Sequence, residues 1–284
     1  MDEPTNELTS SAEPPAPTPI ERLRALGEEA FLAEWPDYLM LGIGPEHVPE
    51  LIGIATDRTL NRAPEDSTAV WAPMHAWRAL GQLGAEAAIE PLIGMLEPLE
   101  EDDWATEELP VVFGMIGPAA IEPLRRHLTE PTNRPYARTS AASALKEIAV
   151  RHPAHRAEAV AGLVQQLDAR DALNVSDEAV INGFVISDLI NMQAAEALPA
   201  IERAFADNRV DLSIAGDWDD VQAEFGLKPR KPLPEPAASA APGTSAGSDF
   251  AGFPSGGSGG KTAAKKKAKR KMAQASRRKN RKRK

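Results

Sequence analysis

The chain contains no cysteine. That removes a disulfide framework, Cys-ligated zinc, an iron–sulfur cluster and a thiol nucleophile together. Long apolar runs are missing too, since none approaches the roughly 20 residues that cross a bilayer. The opening stretch, MDEPTNELTSSAEPPAPTP, is acidic and Pro-rich, the opposite of a secretory or transit peptide. A soluble cytoplasmic protein with no membrane contact is the expectation. Neither a Gly-rich phosphate loop nor a Ser nucleophile elbow is present. No catalytic residue, metal ligand set or cofactor is expected.

Basic residues are scarce over most of the chain and crowded at one end. Of the 32 Lys and Arg, 14 fall between Lys261 and Lys284, a stretch without a single acid. The other 260 residues carry 18 bases against 42 acids, a charge of −24 that the overall −10 conceals. Such asymmetry points to an interaction tail.

What is present is helical patterning. Thr18-Pro19-Ile20-Glu21 reads as a capping box with Pro at the first helical position. Ile20, Leu23, Leu26, Ala30 and Phe31 follow on roughly one face. Further stripes run through Val48–Ala55, Val70–Leu80, Ile89–Leu96, Leu109–Ile116, Ile121–Leu128, Leu145–Ala149, Val160–Leu167, Val180–Val185 and Leu198–Phe205. Asp217 is placed to cap a last short helix that Gly226 stops. No run alternates with period 2, so the expected fold is all-α, with about eleven helices.

Repeats arrange those helices. Leu83-Gly84-Ala85-Glu86-Ala87-Ala88-Ile89-Glu90-Pro91-Leu92 returns as Ile116-Gly117-Pro118-Ala119-Ala120-Ile121-Glu122-Pro123-Leu124, and more loosely as Ala195–Ile201. Gly84 and Gly117 suit a left-handed helix end. Each helix pair leaves an apolar face that a neighbouring pair must cover, which predicts an α-solenoid. The expected organisation is a disordered acidic and Pro-rich N-terminus (1–17), a solenoid (18–227), a Pro/Gly/Ser linker (228–260) and a disordered basic tail (261–284).

At this motif the chain resembles HEAT-like repeats of the short variety found in phycobilin lyases, over roughly residues 45–207. Two stretches, Glu108–Pro118 and Val210–Val221, are similar to a family of uncharacterised bacterial HEAT-like proteins. That resemblance implies an α-solenoid body and no established activity. Some members carry a Cys-rich zinc motif after the repeats. Here a basic tail stands in that place, so no zinc role is implied.

The tail offers Lys265, Lys266, Lys267, Lys269, Arg270, Lys271, Arg277, Arg278, Lys279, Arg281, Lys282, Arg283 and Lys284 to a polyanion. Such contacts release counterions and are salt-sensitive but sequence-tolerant. The tail has no aromatic residue on which to stack bases, so phosphate contact is expected, most naturally to structured RNA. An acidic protein surface, including the protein's own, and a mere solubility role are the other readings.

Within the body the densest acidic stretch is Glu100, Glu101, Asp102, Asp103, Glu107 and Glu108, flanked by Glu97 and centred on Trp104. It reads as a charged inter-helix loop or as a patch for a basic partner. No Gly shapes it into a cation loop. His152 and His155 straddle Pro153 in a turn, with only Glu158 nearby. Trp71, Trp77 and Trp104 invite comparison with the pocket of HEAT-like DNA glycosylases. Those enzymes need a cationic groove, and this body is strongly acidic. The expected function is a non-enzymatic adaptor, its body holding a protein partner and its tail holding RNA or another polyanion. The alternative is a lyase- or glycosylase-type enzyme with an unrecognised site.

Overall fold

The computed structural model describes residues 16–27, 35–64, 67–170 and 175–229. The N-terminal stretch up to residue 15 and the segment from residue 230 onward, with nearly all of the linker and the whole basic tail, lie outside the described residues. Among the described residues every regular element is helical. The α-helices are α1 (Pro19–Ala25), α2 (Val48–Thr56), α3 (Ala72–Gln82), α4 (Ile89–Leu96), α5 (Asp103–Ile116), α6 (Ile121–Thr129), α7 (Pro135–Arg151), α8 (Arg156–Asp168), α9 (Val175–Asn191), α10 (Leu198–Ala206), α11 (Leu212–Ala215) and α12 (Trp218–Glu224). The chain divides into two compact units after Ala79, a point inside α3.

In the first unit the Thr18–Glu21 capping box forms as expected: Glu21 N–H donates to Thr18 Oγ1 at 3.2 Å, and Thr18 N–H to Glu21 Oε2 at 2.7 Å. α1 stops at Ala25, ahead of Gly27 at φ +58°, and so is shorter than its apolar stripe suggested. Phe31 lies outside the described residues. Tyr38 is fully buried and donates its hydroxyl to His75 Nδ1 at 2.7 Å. His75 Nε2–H in turn donates to the Gly27 carbonyl at 3.1 Å. One imidazole thus ties three segments together, and its tautomer follows from its two partners. Burial holds its pKa down to about 4.

Before every even-numbered helix from α2 to α10 comes a three-residue 3-10 turn: Pro45–His47, Glu86–Ala88, Pro118–Ala120, Pro153–His155 and Ala195–Ala197. The third residue of each turn donates its N–H to the carbonyl just before the turn, at 2.9–3.0 Å. The recurring Gly-Pro-Ala-Ala-Ile and Gly-Ala-Glu-Ala-Ala-Ile strings encode this joint. Proline leads three of the turns, at a position whose N–H has no intrahelical use. Gly84 is left-handed at φ +60°, and Gln193 takes the same place in the third copy at φ +52°. Gly117 differs from the left-handed expectation: φ +102° and ψ −157° lie in a region that essentially only glycine reaches. Space also demands glycine here, because a Cβ on Gly117 would sit 3.2 Å from the His152 ring.

In the second unit the helix pairs stack in two layers, an α-solenoid arrangement. The long helices α5, α7 and α9 form one layer, and α4, α6, α8 and α10 form the other. α7 packs against α5, α6, α8 and α9. α5 and α7 approach so closely that a Cβ on Gly114 would lie 2.7 Å from Glu147 Cβ. At the far side α11 packs on α9, with Gly183 facing Ile214.

Between the layers runs a chain of buried polar groups. Arg138 donates Nε to the Leu128 carbonyl at 2.7 Å and Nη2 to Gln166 Oε1 at 3.2 Å. Gln166 Nε2 reaches Asn182 Oδ1 at 3.4 Å, and Asn182 Nδ2 donates to the Arg209 carbonyl at 2.9 Å. Arg209 Nη1 closes the chain on Glu178 Oε1 at 2.9 Å. All five residues are buried, and a buried polar group needs its partners to avoid a large desolvation penalty.

Candidate functional site

Between Leu80 and Pro229 the described residues include eleven Lys and Arg against 25 Asp and Glu. Ten of the eleven bases stand beside a carboxylate. Arg125 pairs with Glu122, Arg126 with Glu90, Arg134 with Glu100 and Arg151 with Glu147. Arg156 pairs with Glu196, Arg170 with Asp207, Arg203 with Asp168 and Arg209 with Glu178. Lys146 pairs with Asp188, and Lys228 with Asp219. Arg138, the remaining base, is buried, and its donors include bonds to the Leu128 carbonyl and to Gln166. Several pairs are exposed and contribute little stability, about 0–1 kcal/mol each. Their electrostatic effect is local: each cation comes with an acid that repels an incoming phosphate.

The acidic stretch around Trp104 does not form one open surface. Glu100 is buried in an ion pair with Arg134, and burial pushes its carboxyl pKa up against the pull of that guanidinium. Asp102 is the N-cap of α5 and accepts from the N–H groups of Trp104 and Ala105 at 3.0 and 3.2 Å. Asp103 lies in the first turn, where a carboxylate favours the helix dipole. Glu108 is buried in α5, while Glu101 and Glu107 are exposed. Of the six carboxylates of the candidate patch, two are exposed, two half-buried and two buried. The thirteen tail residues lie outside the described residues.

A second cluster, unremarked in the sequence, sits on the long-helix layer where α7 meets α9. Asp188 is buried and accepts from Ser143 Oγ at 2.9 Å, with Lys146 Nζ at 3.2 Å. Lys146 also lies 3.6 Å from Glu147, which Arg151 approaches at 3.5 Å. Burial raises the Asp188 pKa, opposed by Lys146 and Ser143. Only the packing of α9 against α7 turns Asp188 inward.

The same face carries large apolar groups in the open. Tyr136, Ser143, Glu147 and Val150 share one stripe of α7, and Val180, Phe184 and Ser187 share one of α9. Tyr136 is 53% exposed, Val150 59% and Phe184 36%. Gly114 against Glu147 and Glu97 against the Arg134 N–H show α5 and α7 running parallel. Met192 receiving Arg156 at the far end of α9 places α9 in the same direction. The Ser143–Asp188 bond then sets the register and brings Phe184 to the level between Tyr136 and Ser143.

The histidines are in structural use. His75 is the buried tie described above, and His152 Nε2 lies 2.9 Å from the Gly114 carbonyl. His155 is exposed beside Glu158. His127 Nδ1 lies 3.1 Å from Asn133 Nδ2, and burial lowers the His127 pKa. No group of three or more His, Asp or Glu among the described residues is placed to hold a metal ion. Trp77 is fully buried in the core, whereas Trp71 and Trp104 are half-buried. No helix among the described residues is long and apolar enough to cross a membrane.

No curated protein and no solved structure matches the chain. A family model described as "Protein of unknown function (DUF1186)" matches residues 75–233, from within α3 to just past α12. That span covers more than half of the sequence and both layers of the solenoid, and the chain belongs to the DUF1186 family.

Proposed function

We propose that the protein is a non-enzymatic adaptor: a HEAT-like body that holds a protein partner, and a basic segment, 261–284, that binds RNA or another polyanion. The observation that carries this reading is the commitment of the bases in the second unit. At least ten of eleven stand beside carboxylates, Arg138 is buried, and acids outnumber bases more than two to one. Phosphate binding then falls to the one part of the chain with cations in excess. The body keeps a surface of a different kind, the α7–α9 face with Tyr136, Val150 and Phe184, which suits a partner that presents apolar side chains. Linking the two binding functions in one chain makes the second contact effectively intramolecular.

Deleting 261–284 tests the reading. Binding of the full chain to structured RNA falls steeply with salt. If eight of the 14 cations contact phosphate, affinity drops by about 10⁴ between 50 and 200 mM salt. The truncated chain keeps its helical circular dichroism and loses this binding. Undiminished RNA binding by the truncated chain sinks the proposal.

A further inference from the structure

Along the middle of α7 and α9 every backbone N–H closes onto its own helix, so a partner strand finds no edge to pair with there. Side chains alone define what the α7–α9 face accepts, and they are graded along its length. On α7, Tyr136, Ser143 and Val150 recur every seven residues, the spacing of a helix–helix seam. Measured from Tyr136, Ser143 stands about 10 Å and Val150 about 21 Å along the axis. Asp188, bonded to Ser143 and close to Lys146, fixes the level of α9. That level puts Phe184 about 6 Å beyond Tyr136, and Ser187 beside Ser143. The groove between the helices is thus apolar at both ends, with a waist where two small serines leave room for close approach.

At that waist two carboxylates face one lysine. Lys146 is 3.2 Å from Asp188 and 3.6 Å from Glu147, and Arg151 meets Glu147 at 3.5 Å. Asp188 is buried and takes the Ser143 hydroxyl as well. Glu147 is less well served, because both of its ion pairs are longer than a good hydrogen bond. Its side chain is 23% exposed and leans toward the N-terminal end of α7, and so toward the waist. Helices α5, α7 and α9 together carry seven Asp and Glu against three Lys and Arg. The field of this layer therefore favours an incoming cation.

We propose that the partner enters this groove as an amphipathic helix whose apolar stripe is broken by one arginine. Apolar side chains at positions i and i+3 of that helix cover Tyr136 and Phe184, and one at i+14 covers Val150. The arginine, at i+7, donates to Glu147 at the waist. The axial spacings agree: these positions of an α-helix fall at about 0, 4.5, 10.5 and 21 Å, within about 60° of one another. A guanidinium suits the place, since its forked donors take both oxygens of Glu147 while the apolar groups on either side exclude water. The inference rests on the adaptor reading, which assigns this face to a protein partner, and names what that partner presents.

The probe is a dye-labelled Ala/Gln helix of about 18 residues, with leucine at i, i+3 and i+14 and arginine at i+7. It is titrated against the full chain by fluorescence anisotropy. Phe184→Ser should weaken binding about tenfold. Glu147→Gln should weaken it about fivefold, with the helical circular dichroism unchanged. A peptide with glutamine in place of the arginine should lose the same factor and be indifferent to Glu147→Gln, the mark of a direct contact in a double-mutant cycle. No binding, equal binding of the two peptides, or equal binding by the parent and Phe184→Ser would each overturn the proposal. So would a full chain that sediments as a dimer and becomes monomeric with Phe184→Ser, since a second copy would then cover the groove. RNA binding by 261–284 is read with the peptide absent. Its loss would sink the adaptor reading and leave the peptide result standing, and failure of the peptide would leave RNA binding as it was.

Discussion

Replacing Gly114 by alanine sets two physical effects against each other. By helix propensity alone, alanine inside α5 is worth about 1 kcal/mol over glycine. The packing opposes this. The new Cβ would stand 2.7 Å from Glu147 Cβ and 3.0 Å from Arg151 Cδ. Arg151 can swing away, but Glu147 Cβ is fixed to the α7 backbone, so the helices must separate by nearly 1 Å for an ordinary contact. Overpacking of this kind costs about 1–3 kcal/mol, and it falls on a main contact of the long-helix layer. The net expectation is a loss of about 1–2 kcal/mol. Gly94→Ala in α4 is the control, because its Cβ meets nothing within 4 Å and its φ is not positive. It should gain up to about 1 kcal/mol. Urea titrations of both variants, read by circular dichroism, give the two signs directly. A midpoint that rises for Gly114→Ala as it does for Gly94→Ala would refute the claim that α5 and α7 are held at glycine distance.

Three further outcomes follow from buried titratable groups. Lys146→Met leaves Asp188 in the α7–α9 interface without its cation, at a cost of about 1–3 kcal/mol near neutral pH given the partial exposure of Lys146. Burial already raises the Asp188 pKa, so protonation relieves the variant, and its deficit should shrink as pH falls toward 4. A deficit unchanged with pH would show that Asp188 is not the group left stranded. His75 has the opposite sign: its folded pKa, about 4, is below the ordinary 6.5. Its contribution is present above pH 6.5 and is lost as pH falls to about 4, up to roughly 3 kcal/mol in all. Replacing Tyr38 by Phe removes the donor to Nδ1 and should cost about 1–3 kcal/mol at neutral pH. Thermal melts of Tyr38→Phe and the parent between pH 4 and 8 check both statements.

Much of this architecture was legible in the sequence because it depends on local chemistry. Asp217 caps α12 in a full capping box, and the stripe Ile89–Leu96 coincides with α4. The joint Gly-Pro-Ala-Ala-Ile before α6 could be matched to Gly-Ala-Glu-Ala-Ala-Ile before α4 by eye. The same joint at Gly44-Pro45-Glu46-His47 and at His152-Pro153-Ala154-His155 could not, since what repeats there is a hydrogen bond and a backbone turn, not a residue string. The burial pattern within the acidic stretch was hidden for a related reason. Glu100 and Glu108 look as solvent-facing as Glu101 and Glu107, and which side each helix turns inward depends on a partner helix far along the chain. Asp188 was invisible on the same grounds, and so were Tyr136 and Phe184 as exposed rings, because apolar residues at helical spacing read as core.

Stacked helical repeats touch only their neighbours, so such a chain can in principle fray from either end, one pair at a time. The buried run from Arg138 through Gln166 and Asn182 to Arg209 and Glu178 works against that. It strings α7, α8, α9 and the segment after α10 on a single line of donors and acceptors. Peeling off the last pair, α9 and α10, strips Gln166 of its contact with Asn182 and leaves a polar vacancy in the stack, so loss of the end charges its cost to the middle. Cooperativity is therefore written into the hydrogen bonds as well as the apolar faces, and the second unit should unfold in one step.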